Sequence, residues 1–326
     1  MVNRTLFLTI FSLFTTLSAE EWELKNINVL IENDADIRTD EAYSHGAKFS
    51  LLYLRTDIKN SLLHIPFTNY TEGDNYISFS YAQQLFTPED IKATELVLED
   101  RPYAGYMNIQ SALHNSYNNR LKSLIIQVGI VGPSSQMETV QEFVHGLIGS
   151  PMPQGWEHQL HDELIFQLNY GEKNYYDLGK IASLDSVLIS EYGFELGNAS
   201  TKLYGGAIYR FGWGISKDYG PYSIDNHSYS KIPLILENVS YKNEWDFCFN
   251  FGLKANAIAH NIFLDGNRDG MSHSVKKKSF VLDVTYGFSL VYENMSLDYI
   301  RTHATKEFKE QKNYLGYGSL EFSYNF

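Results

Sequence analysis

Cysteine, basic charge and long apolar runs are all scarce in this sequence of 326 residues. The single cysteine, Cys248, excludes an intrachain disulfide and any metal site built on several cysteines. A formal net charge of −13 disfavours a nucleic-acid partner, because binding to phosphates requires a basic surface. No segment approaches the roughly 18 uninterrupted apolar residues of a transmembrane helix. A membrane-embedded form of this chain would therefore have to cross the bilayer as strands.

Aromatic residues, by contrast, are abundant, with 24 tyrosines and 20 phenylalanines. A soluble core rarely holds so many tyrosines, because each hydroxyl group requires water or a polar partner. Hydrophobic residues make up 44% of the chain, which argues against wholesale disorder. The sequence contains no internal repeat and no low-complexity tract, so a single domain is the simplest organisation.

The N-terminus has the pattern of a secretory signal peptide. Arg4 precedes an apolar stretch, 6–17, which ends in small residues and is followed directly by glutamates. We expect residues 1–19 to be removed and residues 20–326 to form the mature domain. The alternative is that these residues form the first helix of a soluble domain.

The C-terminal third alternates between apolar and polar side chains with a period of two. Apolar residues occupy the odd positions of 245–257, the even positions of 280–292 and the even positions of 320–326. Such alternation is typical of strands with one apolar and one polar face. The runs exceed the usual strand length of a soluble sandwich and suit a membrane barrel with a polar lumen. We therefore predict an all-β, transmembrane antiparallel β-barrel.

The same pattern predicts twelve strands, an even number as single-chain bacterial barrels require. The stretch 214–244 is the weakest part of this assignment, and its segment near Pro233–Val239 could hold another strand. The predicted strands are 25–33, 43–54, 75–86, 103–117, 121–131, 158–170, 183–196, 200–213, 245–259, 279–292, 294–304 and 316–326.

A short helix is predicted on the surface side of the barrel, within the connection 131–159. Apolar residues recur three and four positions apart over 137–148, and Pro133 and Gly149 bracket the pattern. Gln141 and His145 are four residues apart and share one face of this helix. The segments 33–46 and 99–105 reach the same end of the barrel if both termini are periplasmic. The alternative interpretation is a lid helix with an ordinary surface histidine.

Three motifs in this region resemble a known family. They are END at 32–34, DRPYAG at 100–105, and GIVGP…VQEFVHGLIGS…GWEHQLHDE over 129–163. Taken in order, they resemble the outer-membrane lipid A 3′-O-deacylase family, the LpxR-like proteins. The resemblance implies a calcium-dependent esterase of the bacterial outer membrane. Its substrate would be the 3′-linked acyloxyacyl group of lipid A in lipopolysaccharide, and we expect a monomer.

The resemblance also implies roles for individual residues. His145 and Gln141 match the family's QxxxH motif, Asn33 and Asp34 match its Asn-Asp pair, and Ser44 matches the hydroxyl residue of Y-[ST]-x-G. His145 would take a proton from water, and a calcium ion on Asp34 would polarise the ester. Ser44 is a donor to the oxyanion or the nucleophile, and both roles remain open.

Other positions carry further expectations. Arg101 is a candidate contact for a lipid A phosphate, although a structural ion pair with Asp100 is the alternative. Lys48 is a candidate substrate contact, because strand alternation places it with Ser44 on the lumen side. The sequence departs from some relatives at Pro151, where they carry an acidic residue. Two other functions stay open, namely a non-catalytic porin-like or surface-binding barrel and an outer-membrane phospholipase.

Overall fold

The computed structural model describes residues 22–34, 42–55, 72–221, 223–224, 231–234 and 245–326, without the side chains of 42–44. These residues form a closed barrel of twelve antiparallel strands, each paired with its neighbours in sequence, and β1 pairs with β12. The predicted signal peptide, 1–19, lies outside the described residues. The strands are β1 (Trp22–Asn33), β2 (Ala42–Arg55), β3 (Asp74–Thr87), β4 (Ala104–Tyr117), β5 (Arg120–Val131), β6 (Glu163–Ile181), β7 (Leu184–Gly197), β8 (Ser200–Trp213), β9 (Trp245–Asn261), β10 (Phe280–Tyr292), β11 (Met295–Ala304) and β12 (Leu315–Asn325).

The alternating pattern separates a lipid-facing surface from a polar lumen. In β1, Val29 and Ile31 are 38% and 45% exposed, whereas Asn28 and Glu32 on either side of them are fully buried inside the barrel. The apolar side chains are exposed because their natural solvent is lipid rather than water. The predicted barrel of twelve strands is therefore confirmed. Among the described residues, no helix is long and apolar enough to span a bilayer.

The seam between the first and last strands is held by side chains as well as by the backbone. The amide nitrogen of Asn28 donates to Glu321 at 2.5 Å and to the hydroxyl of Ser323 at 2.7 Å. The hydroxyl of Ser319 donates to Glu32 at 2.9 Å. These buried bonds connect β1 to β12 and leave no strand edge open to lipid, as the hydrocarbon region requires.

The sixth strand differs from its prediction, which covered 158–170. Residues 158–162 belong to the preceding loop, and β6 runs instead from Glu163 to Ile181. Past Asn174 the strand has no partner on β5 and pairs with β7 alone. The β6–β7 hairpin thus extends beyond the wall, where exposed polar residues blur the membrane pattern. The described parts of 214–244 contain no strand, only an isolated bridge between Asp218 and Pro233.

Turn length identifies the two ends of the barrel. Of the four two-residue turns among the described residues, the one between β7 and β8 lies at one end, and the three that join β4 to β5, β6 to β7 and β10 to β11 lie at the other end. Periplasmic turns are short in bacterial barrels, so this end faces the periplasm. The connection that carries helix α1 (Met137–Ile148) leaves the opposite end, which faces the cell surface. The predicted surface-side helix is thus confirmed, and Gly149 ends it with the positive φ of 72° that glycine tolerates.

The described parts of the long β8–β9 connection fold back into the lumen from the periplasmic end. Tyr219 is fully buried, and its hydroxyl lies 3.0 Å from the hydroxyl of Ser116 on β4. The backbone N–H of Ile224 donates to Glu32 on β1 at 3.0 Å. Lys231 pairs with Asp298 on β11 at 2.7 Å. We refer to the described parts of this connection (214–221, 223–224 and 231–234) as the plug.

A second apolar cluster closes the outer end of the lumen. The short helix α2 (Ile262–Asp265) follows β9, and Phe263 stacks on Phe86 with ring centroids 4.0 Å apart. Ile262 and Phe263 share a buried core with Tyr106, Leu160 and other inward-facing residues. Between this cluster and the plug lies a lumen cavity of about 40 Å³ beside Pro221, room for only a few water molecules.

Candidate active site on the outer wall

Helix α1 packs on the outside of the barrel rather than over its mouth. Leu85 of β3 has the same parity as lipid-exposed Tyr81, yet it is buried in a cluster with Met137 of α1. Gly105 of β4 also points outward, and a Cβ atom there would lie only 2.7 Å from Cβ of Met137. The absence of a side chain at Gly105 lets the helix approach the strand. We refer to this contact between Gly105, the glycine of the DRPYAG motif, and Met137 as the seat of α1.

Trp156, in the segment that follows α1, and Tyr103, just before β4, form a pair of packed rings that we refer to as the aromatic platform. Trp156 is 3% exposed and packs on Tyr103 with ring centroids 5.0 Å apart. The hydroxyl of Tyr103 donates to the carbonyl oxygen of Ile91 at 3.1 Å, which fixes the ring from below. Burial raises the pKa of Tyr103 to about 12, so the hydroxyl stays protonated and keeps donating. The platform is thus rigid and neutral.

Trp156 determines which way the amide group of Gln141 points. The indole N–H donates to Oε1 of Gln141 at 2.8 Å, and an indole N–H has no ability to accept. The amide must therefore turn its oxygen toward Trp156 and its NH₂ group away. The Nε2 atom of Gln141 is buried and has no hydrogen-bond partner among the described residues. A buried donor of this kind is costly unless a ligand or water uses it.

His145 is held in one tautomer by a main-chain oxygen. Its Nδ1 lies 2.6 Å from the carbonyl oxygen of Pro151, which accepts only, so the proton sits on Nδ1. In the neutral ring, Nε2 then carries the lone pair. The imidazole is 7% exposed. The left-handed residue Gly149 reverses the chain after α1 and brings Pro151 back to the ring. At the position where some relatives carry an acidic residue, His145 therefore contacts the neutral main-chain carbonyl of Pro151.

Asn33 and Asp34 lie at the outer end of β1. Strand β1 ends at Asn33, and Asp34 follows it with 1% of its surface exposed. Asn33 pairs with His45, His45 with Leu85, and Leu85 with Gly105, so the register forms one row across four strands. Neighbouring strands are about 4.8 Å apart, which places Asn33 about 10 Å from Leu85 under α1. The outward parity of Asn33 therefore matches a site on the outer wall.

Strand alternation predicts the orientation of Lys48 correctly, but it does not determine the orientation of Ser44. The register of β2 shifts between Tyr43 and His45, so Ser44 is the extra residue of a bulge. Alternation therefore does not determine the side on which Ser44 lies, and its side chain lies outside the described residues. Lys48 does face the lumen as predicted, 2% exposed and in electrostatic contact with Glu32 and other lumen residues. The barrel wall separates Lys48 from α1.

Arg101 holds two outer loops together. Its guanidinium pairs with Glu307, from the β11–β12 connection, and lies between the rings of Phe86 and Phe308. The side chain is 2% exposed. The expected ion pair with Asp100 is not formed, because that carboxylate accepts from two backbone N–H groups instead. This geometry gives Arg101 a structural role and provides no support for a phosphate contact.

Sequence reasoning did not single out Trp156, Tyr103 or Gly105. Each lies within a motif that the sequence displays, GWEHQLHDE for the tryptophan and DRPYAG for the other two. The available signal was a tryptophan, a residue with a polar N–H, in a connection that otherwise reads as surface loop. The described residues contain no group of three His, Cys, Asp or Glu side chains arranged for a metal ion.

A closed twelve-stranded barrel with a lipid-facing surface and a helix-borne site on its outer wall defines a bacterial outer-membrane barrel protein. The family model described as "Outer membrane protein LpxR" matches residues 6–326, so the chain belongs to the LpxR family and to the bacterial outer membrane. No curated protein matches the chain significantly.

Solved structures agree on the fold. LpxR from Salmonella typhimurium is 16% identical with a TM-score of 0.71, and the match covers 92% of this chain and all of that one. The β domain of the Bordetella autotransporter BrkA is 8% identical with a TM-score of 0.44, covering 94% and 99%. The NalP translocator domain from Neisseria meningitidis is 7% identical with a TM-score of 0.41, covering 99% and 94%. Only the first is similar enough to support an argument about the fold.

Proposed function

We propose that the chain is an outer-membrane esterase that hydrolyses the 3′-linked acyloxyacyl chain of lipid A, with a water activated by His145. The observation that carries the proposal is the pair formed by His145 and Gln141 on α1, outside the wall of a barrel of the LpxR family. His145 presents a lone pair on Nε2, and Gln141, four residues earlier, presents a buried N–H donor. Ester hydrolysis needs both a base and a donor for the oxyanion.

The proton chemistry follows from the hydrogen bond to Pro151. With Nδ1 donating to that carbonyl, Nε2 of His145 takes the proton from water as the water attacks the ester carbon. The imidazolium then returns this proton to the leaving alkoxide on the sugar. A main-chain carbonyl stabilises the imidazolium less than a carboxylate does, because it carries only a partial charge. Pro151 therefore serves mainly to orient the ring.

The oxyanion chemistry rests on Gln141. Its Nε2 is already aimed by the hydrogen bond from Trp156, so little reorganisation is needed when the carbonyl oxygen of the ester becomes negative. Ser44 is the second donor in this proposal, and a nucleophilic role for it is the variant that the test below separates. Asn33, on the same outer face, is the candidate to orient the sugar or the water.

Calcium fits the donor chemistry of Asp34. The carboxylate is buried at the end of β1, and calcium prefers oxygen ligands. Further ligands would have to be main-chain oxygens or residues beyond the part of the chain that the structure describes. When bound, calcium would polarise the ester carbonyl and stabilise the negative charge that develops there. We further propose that the protein acts as a monomer.

The test is mass spectrometry of lipid A from cells that express the parent chain, His145→Ala or His161→Ala. His161 lies 16 residues further along the same connection, and its side chain is 53% exposed, which makes it a matched control. The parent and the His161 variant should lose the mass of the acyloxyacyl group, and the His145 variant should not. If Ser44 is a donor to the oxyanion, Ser44→Ala should keep partial activity. If Ser44 is the nucleophile, the variant should have none.

Two results would contradict the proposal. Identical lipid A spectra with and without a folded parent chain, in the presence of calcium, would remove the deacylase activity. Release of fatty acid from phospholipid alone would keep the esterase chemistry and change the substrate. A porin-like channel is disfavoured by the plug and by the apolar cluster at the outer end of the lumen.

A further inference from the structure

Helix α1 has a buried face and a polar flank. Met137, Gln141 and His145 recur at intervals of four residues, and all are at least nine-tenths buried. This face lies against the wall and the platform. Glu138 and Glu142 form the polar flank, and both are exposed. At about 100° per residue, the glutamates lie on one side of the buried face.

The opposite flank is apolar and uncovered. Phe143 and Leu147 on this flank are 67% and 70% exposed, and Ile148, which has nearly the angular position of Met137 but lies at the end of the helix, is 65% exposed. Met152, just past the helix, adds another 45%-exposed side chain. Exposed apolar groups that cluster in this way mark an interaction surface rather than a water-facing one. We refer to Phe143 and Leu147, together with Ile148 and Met152 at the C-terminal end of the helix, as the apolar flank.

The location of α1 indicates what covers this flank. The helix is seated on outward-facing Leu85 and Gly105, on the side of the wall that faces lipid. Four residues further along the same strands, Tyr81 and Ile109 are each 42% exposed and belong to the lipid-facing belt. That separation is about 13 Å along a strand and about 9 Å in depth at the usual tilt. The helix itself, with a radius of about 5 Å, spans much of this gap.

We propose that the apolar flank of α1 is immersed among the acyl chains of the outer leaflet, so that α1 is an interfacial helix. The flank continues the lipid-facing belt, while Glu138 and Glu142 on the other side remain in water. An amphipathic helix with this division lies in the plane of the membrane interface. The inference goes beyond the proposed function and stands or falls independently of it.

The test uses the scarcity of cysteine. Cys248 is buried in β9, so the parent chain provides the labelling blank. Leu147→Cys and the matched control Glu142→Cys each carry an NBD fluorophore on α1, on opposite flanks. The labelled proteins are reconstituted in dioleoylphosphatidylcholine vesicles containing lipids with a doxyl quencher on the acyl chain or on the headgroup. At position 147 we expect blue-shifted emission, quenched at least twofold more by the acyl-chain doxyl lipid than at position 142.

Each other result overturns the proposal. Equal quenching at the two positions, or water-like emission at position 147, would show that the flank does not enter the acyl region. Shielding of position 147 without quenching by doxyl lipid, together with a dimer in analytical ultracentrifugation, would assign the flank to a second copy of the chain.

A kinetic measurement separates this inference from the deacylase proposal. Phe143→Ser combined with Leu147→Ser should raise KM about tenfold for substrate held in vesicles, because apolar area is lost from the bilayer contact. The rate on a water-soluble short-chain ester should not change. If the depth measurement succeeds and no ester is hydrolysed by the parent chain, the proposed function fails and the interfacial helix remains.

Discussion

Gly105→Ala tests whether the seat of α1 sets the geometry of the candidate site. The added Cβ would lie 2.7 and 2.9 Å from Cβ and Cγ of Met137, and closer still to the hydroxyl of Ser135. Real Cβ atoms essentially never come within 3.0 Å of such neighbours. The hydroxyl of Ser135 can rotate away, but the Cβ atom of Met137 is fixed to the backbone, so α1 must move outward by roughly 1 Å. A displacement of about 1 Å in a catalytic group costs on the order of 10²-fold in rate.

We therefore expect Gly105→Ala to lower kcat for lipid A deacylation about 10²-fold with little change in KM. The barrel should still close, because overpacking costs only about 1–3 kcal/mol and the strand hydrogen bonds are kept. Heat-modifiable migration in SDS gels reports the folded barrel, and release of fatty acid from lipid A in detergent micelles reports turnover.

Gly205→Ala is the matched control for this substitution. Gly205 lies in β8, and the nearest atom to its added Cβ would be 3.8 Å away, an ordinary van der Waals contact. This variant should fold and turn over like the parent. A folded Gly105→Ala protein with the parent kcat would refute the argument that the seat of α1 positions His145. Loss of folding in both variants would instead show that β-strand glycines matter for the barrel itself.

Four further predictions concern the site and the lumen. His145→Ala should slow turnover by roughly 10²- to 10⁴-fold, because the water then has no base to take its proton; a fast variant would end the assignment as base. Trp156→Phe keeps an aromatic ring, although a smaller one, and loses the N–H, so kcat should fall about tenfold, and unchanged kcat would separate Trp156 from Gln141. Chelation should abolish activity, and Asp34→Ala should need far more calcium; full turnover in excess chelator contradicts this. The parent should be silent in planar bilayers, and Tyr219→Ala should be silent as well because the apolar cluster still closes the outer end of the lumen; an open parent would disprove the closed lumen.

Strand alternation was sufficient to predict the barrel, because each wall residue meets either lipid or the lumen. It assigned Lys48 to the lumen correctly. The parity of a strand does not reveal on which side of the wall a later loop will pack. The outward parity of Asn33 therefore fits a site only because α1 packs on the outer surface.

Other features depend on contacts between distant residues and leave little local trace. The partner of Gln141 is Trp156, in a different loop segment, and the partner of Arg101 is Glu307, 206 residues away. The plug has irregular backbone and is stabilised by side chains of several strands. A periodic pattern does not arise in such a segment, so 214–244 could be recognised only as the weakest part of the strand assignment.

The plug also has a consequence for the closing of the barrel. Ile224 bonds to Glu32 on β1, and Lys231 pairs with Asp298 on β11, so the plug touches strands on both sides of the β1–β12 seam. Its binding surface is complete only when β1 has met β12. Docking of the plug should therefore favour the closed seam, and a closed seam should favour docking of the plug. The plug thus links the two ends of the sheet from inside the lumen.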